Sequence, residues 1–253
     1  MAYTNNRFCW HGVISSDTAK TTPFYTTVLG WTAQEMQMGD ETATMFSASD
    51  SVPRAHTRAP AMEGEPNYWS SYLRVENVDA SLASAIENGG KVLVPATDIP
   101  PGRFAAVASP SGAVFNLFHE ADPSSTNAGD CDGAIHWVEL HSTDTATDLA
   151  WLAASFGITH QTMNMEGMGD YHILLSGETQ VGGCMAQQHE GAPSMWLPWV
   201  RLDEVDSAVN RAAESGGNVI APLFDVPGIG RMSILADPVG GVFGVIKPAP
   251  REA

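Results

Sequence analysis

The chain repeats itself at an offset of 127 residues, and no other feature limits its fold as strongly, because a repeat fixes the architecture before any single motif is read. Trp10 falls on Trp137, Asp17 on Asp144, Gly30 on Gly157, Trp69 on Trp196 and Asp79 on Asp206. The pair Gly89-Gly90 falls on Gly216-Gly217, Pro95 on Pro222 and Asp98 on Asp225. One extra residue in the loop Val226-Pro227-Gly228-Ile229-Gly230 moves the offset to 128, after which Arg103 meets Arg231, Pro110 meets Pro238, Gly112 meets Gly240 and Phe115 meets Phe243. The 253 residues therefore divide into two homologous modules, 7–120 and 134–248. Residues 121–133 form a linker whose Asp-Pro-Ser-Ser-Thr-Asn-Ala-Gly-Asp run has loop composition.

Each module reads as two β-α-β-β-β units, an α+β pattern. Residues 8–15 and 134–141 alternate as strands do. Asp17 and Asp144 then stand at N-cap positions ahead of helices 18–29 and 145–156, which Gly30 and Gly157 end. In the second units, strands at 68–75 and 196–202 precede helices 79–88 and 206–215, opened by Asp and stopped by Gly-Gly. Short strands complete the modules at 91–94, 105–108 and 114–119, and at 218–221, 232–235 and 242–246.

With 12 Lys plus Arg against 29 Asp plus Glu, the formal charge is −17, which repels phosphate backbones and anionic lipid and excludes nucleic acid and membrane surfaces as partners. No apolar run approaches the roughly 18 residues of a membrane span. The first residues lack a secretory signal pattern, and the expected location is the cytoplasm. Cys9, Cys131 and Cys184 form neither a C-x-x-C pair nor an even framework, so neither disulfides nor a structural zinc site is expected; Cys9 and Cys184 read as buried thiols and Cys131 as exposed.

Several strings then resemble the glyoxalase / bleomycin-resistance / dioxygenase domain of the vicinal oxygen chelate superfamily. They are Asn77-Val78-Asp79, Gly89-Gly90-Lys91-Val92, Pro95-Ala96-Thr97-Asp98, Gly102-Arg103 and Ser109-Pro110-Ser111-Gly112, with Asp237-Pro238-Val239-Gly240 closer still to the Asp-Pro-x-Gly signature. Phe24-Tyr25 and Leu29-Gly30-Trp31 resemble the helix of the domain's first half. The resemblance implies a curved mixed sheet per module, a half-barrel around a cavity. It also implies where metal ligands stand in members that bind one: seven residues before the helix-opening Asp, nine before the second helix's Asp, and four after the Gly of Asp-Pro-x-Gly. Those places hold Trp10, Ser70 and Asn116 in the first module and Trp137, Leu197 and Gly244 in the second. None offers an imidazole or carboxylate, so no family-type metal and no other cofactor is expected.

If position 137 faces the cavity as the family's ligand place does, Trp137, Glu139 and His141 point in together, since side chains two apart on a strand share a face. Trp10, Gly12 and Ile14 are their counterparts in the first module. Glu139 and His141 form a candidate acid/base pair, Glu139 as base and His141 as acid. The alternative is that Glu139 bonds a neighbouring strand or Arg201 while His141 lies in water. Arg74 and Arg201 could bind an anionic ligand group or make structural ion pairs, and Arg103 and Arg231 read as structural. The candidate ligand-binding set is Trp10, Ser70, Tyr72, Asn116, Trp137, Trp199 and Arg201. The position-matched pairs Trp10/Trp137 and Trp69/Trp196 also suit core filling, whereas Tyr72 and Trp199 differ between the modules and suit ligand choice. Met36, Met38, Met45, Met62, Met163, Met165, Met168, Met185 and Met195 could floor an apolar ligand site or fill gaps. Three functions stay open: a metal-independent enzyme of proton-transfer, isomerase, cyclase or lyase type acting on an apolar or aromatic metabolite; a protein that sequesters a drug or metabolite without turnover; and a metal-dependent glyoxalase or dioxygenase with displaced ligands. The expected partner is a small molecule, and the expected state a monomer or weak homodimer.

Overall fold

The computed structural model describes residues 6–38, 41–60, 63–121, 131–165 and 169–250. The first repeat runs β1 (Phe8–Ile14), α1 (Thr18–Leu29), β2 (Thr32–Met38), β3 (Glu41–Ser47), β4 (Pro53–Arg58), β5 (Tyr68–Arg74), α2 (Val78–Glu87), β6 (Lys91–Ile99), β7 (Gly102–Ala108) and β8 (Val114–Glu120). The second runs β9 (Ile135–Ser142), α3 (Thr145–Phe156), β10 (Ile158–Met165), β11 (Gly169–Ser176), β12 (Thr179–Ala186), β13 (Met195–Arg201), α4 (Val205–Glu214), β14 (Asn218–Val226), β15 (Gly230–Ala236) and β16 (Val242–Pro248). Two eight-stranded mixed sheets result, in the orders β2-β3-β4-β1-β5-β8-β7-β6 and β10-β11-β12-β9-β13-β16-β15-β14. Each sheet draws its strands from one repeat.

Local chemistry explains most element ends. The Asp17 carboxylate accepts from the Lys20 N–H and that of Asp144 from Thr147 N–H, satisfying donors at the first turns of α1 and α3. Gly30 and Gly157 close those helices at φ 68° and 67°, a left-handed conformation that costs glycine little. The second helices differ from the sequence reading. Asn77, not Asp79, caps α2, and Glu204 precedes α4 without a side-chain cap bond. Asp79 and Asp206 sit one position inside, where each carboxylate takes two N–H groups of the arginine after the glycine turn, Arg103 or Arg231. Strands β6 and β14 also run past the expected 91–94 and 218–221. Register shifts beside Pro95 and Pro222 let these edge strands continue around a residue that cannot donate.

Packing cuts across the repeats: one compact unit falls within Met1–Trp10, Ser70–Thr126 and Trp137–Leu197, the other within His11–Trp69, Asn127–His136 and Pro198–Ala253. In the first, Phe115 meets Trp151 and Trp196 edge-on, at 5.9 and 5.7 Å between ring centres, and Trp151 donates its indole N–H to the Ala85 carbonyl. In the second, buried Tyr25 packs edge-on against Trp69 and Phe243. Its hydroxyl donates to Asp237 at 2.7 Å and accepts from Trp69 Nε1 at 2.9 Å. Asp237 also accepts from Val239 and Gly241 N–H, so the Asp-Pro-x-Gly turn and the aromatic core share one carboxylate. Trp69 and Trp196 are thus core residues, each 3% exposed. Cys184 is buried, whereas Cys9 is only half-buried. Cys131 is half-buried too, its sulfur 3.4 Å from Arg54 Nη2, which corrects its reading as exposed. Residues 122–130 of the linker, Met62 and Met168 lie outside the described residues.

Candidate functional site

On β9, the alternation of a strand sends Trp137, Glu139 and His141 to one face, and a chain of hydrogen bonds joins them. Trp137 Nε1–H donates to Tyr171 Oη at 2.8 Å, and Tyr171 O–H donates to Glu139 Oε2 at 2.8 Å. Glu139 Oε1 lies 2.7 Å from His141 Nε2. Glu139 and His141 are 6% and 7% exposed, so this carboxylate and imidazole lie largely away from water. A carboxylate only accepts, so the contact is a donation from His141 Nε2–H, and in the neutral ring that tautomer leaves Nδ1 with a lone pair. Among the described residues none hydrogen-bonds that Nδ1. Burial first, and then the charge and hydrogen bond of Glu139, push the Tyr171 phenol well above its ordinary range, so it remains a donor. Burial, then Asp148 and Glu139, raise the Cys184 thiol to about 12 and remove it as a nucleophile.

Tyr171 is the member that sequence reading missed. It reaches the pair from β11 across β12, where Gly183 stands opposite Glu139. A Cβ on Gly183 would fall on the Tyr171 hydroxyl and within 2.9 Å of Trp137 Nε1. The signal available in the sequence was Gly182-Gly183 inside an otherwise strand-like stretch, which marks a close approach. The first repeat inverts this arrangement. Gly12 occupies the place of Glu139, His56 that of Gly183, and a Cβ on Gly12 would come within 2.8 Å of the His56 ring.

The remaining candidates are placed as follows. Ser70 and Asn116 are buried and bonded to each other, Asn116 Nδ2 donating to Ser70 Oγ at 2.6 Å. Tyr72 packs edge-on against Phe118, and Trp10 is half-buried on β1. Arg74 is held in a bidentate pair by Glu120, and Arg201 donates to Asp203 at 3.2 Å, so Glu139 takes its partners from His141 and Tyr171 instead of an arginine. Trp199 is 3% exposed, its Nε1 has no hydrogen-bond partner among the described residues, and its ring covers the space a side chain at Gly244 would need.

That last contact bears on the metal implied by the resemblance. An indole N–H, a hydroxyl already bonded to an amide, a leucine and a glycine under a tryptophan ring do not make the imidazole and carboxylate set that a divalent ion requires, and the residues at these places do not fit one. Among the described residues no three His, Cys, Asp or Glu side chains converge as a metal site. No helix of the described residues is long and apolar enough to cross a membrane.

Comparison with known proteins places this geometry in a family. Residues 7–117 match the Glyoxalase/Bleomycin resistance protein/Dioxygenase superfamily. The chain is 32% identical to the protein named "Putative glyoxylase CFP32" of Mycobacterium tuberculosis, over 96% of this chain and 95% of that one. It is 29% identical to the anthracycline biosynthesis protein DauV of Streptomyces sp. strain C5, over 94% and 92%. In fold it is similar to the 2,3-dioxygenase LapB of Pseudomonas sp. KL28, with a TM-score of 0.68 at 15% identity over 100% and 96% of the two chains. It is also similar to the Mn(II)-bound glyoxalase of Novosphingobium aromaticivorans, with a TM-score of 0.63 at 17% identity over 97% and 82%. With two tandem modules of paired β-α-β-β-β units, the chain belongs to the glyoxalase / bleomycin-resistance / dioxygenase family of the vicinal oxygen chelate superfamily.

Proposed function

We propose that the protein is a proton-transfer enzyme of isomerase, cyclase or lyase type, working at the Glu139–His141 pair without a family-type metal on a fused-ring aromatic metabolite. The observation that carries this reading is the hydrogen-bond chain Trp137–Tyr171–Glu139–His141. Both carboxylate oxygens of Glu139 are engaged by donors of its own chain, so the base role first considered for Glu139 passes to His141. Nδ1 of His141 takes a proton from carbon next to a carbonyl and returns it to another atom. Glu139 holds the ring in the Nε2–H tautomer and stabilises the imidazolium that forms, as an orienting carboxylate does in hydrolytic triads. Tyr171 and Trp137 fix the carboxylate and add half-buried aromatic surface suited to a flat ligand. The names of the Streptomyces relatives, anthracycline biosynthesis proteins, support a polycyclic aromatic ligand, and the chain's charge of −17 disfavours a polyanionic one.

The test uses an anthracyclinone with an enolisable ketone as probe and follows deuterium exchange at the carbon beside that ketone by NMR. Wild type is expected to accelerate exchange, and His141→Ile, the residue of the first repeat at this place, to lose about 100-fold or more of the acceleration. Tyr171→Phe should retain more than His141→Ile, because the ring stays oriented through Nε2. Binding of the probe without exchange by wild type supports sequestration instead. Equal exchange in wild type and His141→Ile overturns the reading.

A further inference from the structure

Away from the Glu139 arrangement, the β10·β11 ladder brings two histidines together that the proposed reaction does not use. The pairing is antiparallel with Thr162 opposite His172 and His160 opposite Leu174, so His160, Thr162 and His172 share one face. His160 is exposed and His172 half-buried. Their rings stand 5.3 Å apart between centres, with planes at 90°. Thr162 Oγ1 lies 2.8 Å from His172 Nδ1, and on the same face Asn164 Nδ2 donates to Asp170 Oδ1 at 3.0 Å.

We infer that His160 and His172 form a two-imidazole site for a borderline divalent transition-metal ion such as Zn²⁺ or Ni²⁺, remote in sequence from the family's ligand positions. Two imidazoles on a tetrahedral ion, each with a metal–nitrogen bond of about 2.0–2.1 Å, hold their ring centres about 5 Å apart, which is the spacing present. Perpendicular planes let both rings turn a nitrogen toward one point. When Nδ1–H of His172 donates to Thr162 Oγ1, the Nε2 lone pair is left to the ion, the outer-shell arrangement that fixes the tautomer of metal-bound histidines. Nitrogen ligands select Zn²⁺, Ni²⁺ or Cu²⁺ over Mg²⁺ or Ca²⁺, which prefer oxygen. Asp170 and the chain's charge of −17 lower the cost of bringing a cation to this face, and water completes the coordination.

The experiment is calorimetric titration of the full, tag-free chain with Ni²⁺, and separately with Mg²⁺, with melting temperature followed in parallel. Expected are one Ni²⁺ per chain with micromolar affinity and a rise in melting temperature, no response to Mg²⁺, and affinity reduced about tenfold or more in His160→Asn and in His172→Asn. Thr162→Val should weaken Ni²⁺ binding while both histidines remain. His189→Asn, a change at an exposed histidine outside the ladder, should leave it unchanged. Absence of Ni²⁺ binding at millimolar concentration overturns the site. So does wild-type affinity in both His160→Asn and His172→Asn when circular dichroism shows them folded. Because the deuterium-exchange test of the proposed reaction reads His141 and not this ladder, the two can fail independently.

Discussion

At Gly183 the absence of one methyl group decides whether the chain Trp137–Tyr171–Glu139–His141 can exist, since a Cβ there would occupy the place of the Tyr171 hydroxyl. Gly183→Ala is expected to displace Tyr171, lowering stability by about 1–3 kcal/mol and reducing exchange of the anthracyclinone probe, whereas Gly182→Ala meets the backbone carbonyl of Val138 and should cost stability. Thermal unfolding and the exchange rate of each variant check this; full exchange in Gly183→Ala would show that Tyr171 has no part in orienting Glu139. At this scale the sequence was half legible. The strand period is local, so it reveals that Trp137, Glu139 and His141 share a face. Tyr171 lies two strands away in the sheet, and no local pattern says which residue of β11 lands over Glu139. The same limit applied to the donors of Glu139, which are a tyrosine and a histidine where an arginine was considered.

Among the elements, α1 and α3 were legible to the residue because an Asp cap and a glycine stop bracket each. Strands β2 and β10, Thr-Ala-Gln-Glu-Met-Gln-Met and Ile-Thr-His-Gln-Thr-Met-Asn-Met, were not, because edge strands carry too few apolar residues to alternate. They are held by their ladders with β3 and β11 while most of their described residues stay exposed, and only the tertiary structure reveals that pairing. The β1·β4 pair carries a consequence for acid stability. Burial, and then the charge of His56, holds His11 down to about 3; burial, and then Arg58, holds His56 at about 4. A histidine whose pKa is lower in the fold than in the unfolded chain stabilises the fold above the unfolded value of 6.5, and that stability is lost as pH falls through the folded values. Stability should therefore decline as pH falls from 6.5 toward 4. The capping and ion-paired carboxylates Asp17, Asp79, Asp144 and Asp206, all held below 3.8, contribute only further down. Urea melts of wild type and His56→Gln across this range test the assignment, the variant being expected to lose the steeper slope; identical slopes would place the acid sensitivity elsewhere.

For the whole molecule, the repeat pointed to two modules of like architecture, each with its own mixed sheet, but not to their strand order or to compact packing that pairs the half of one repeat with the half of the other. The repeat offset carries no information about which faces pack together; that follows from contacts such as Tyr25 with Asp237 and Trp151 with Ala85. A fragment of residues 1–121 would leave Tyr25, Phe24 and Val28 without Phe243, Val245 and Asp237, and is expected not to fold as a monomer. Light scattering and unfolding of that fragment decide it, a cooperatively folded monomer being the contrary result. The central claim is that His141, oriented by Glu139, moves a proton with no divalent ion at the superfamily's ligand places. Its most direct test is the deuterium-exchange rate of the anthracyclinone probe with wild type and Glu139→Gln, each measured before and after a chelator. The account predicts that exchange by wild type survives chelation unchanged and that Glu139→Gln, with an unaltered melting temperature, loses about 100-fold. Loss of wild-type exchange on chelation, or full exchange by Glu139→Gln, would contradict it.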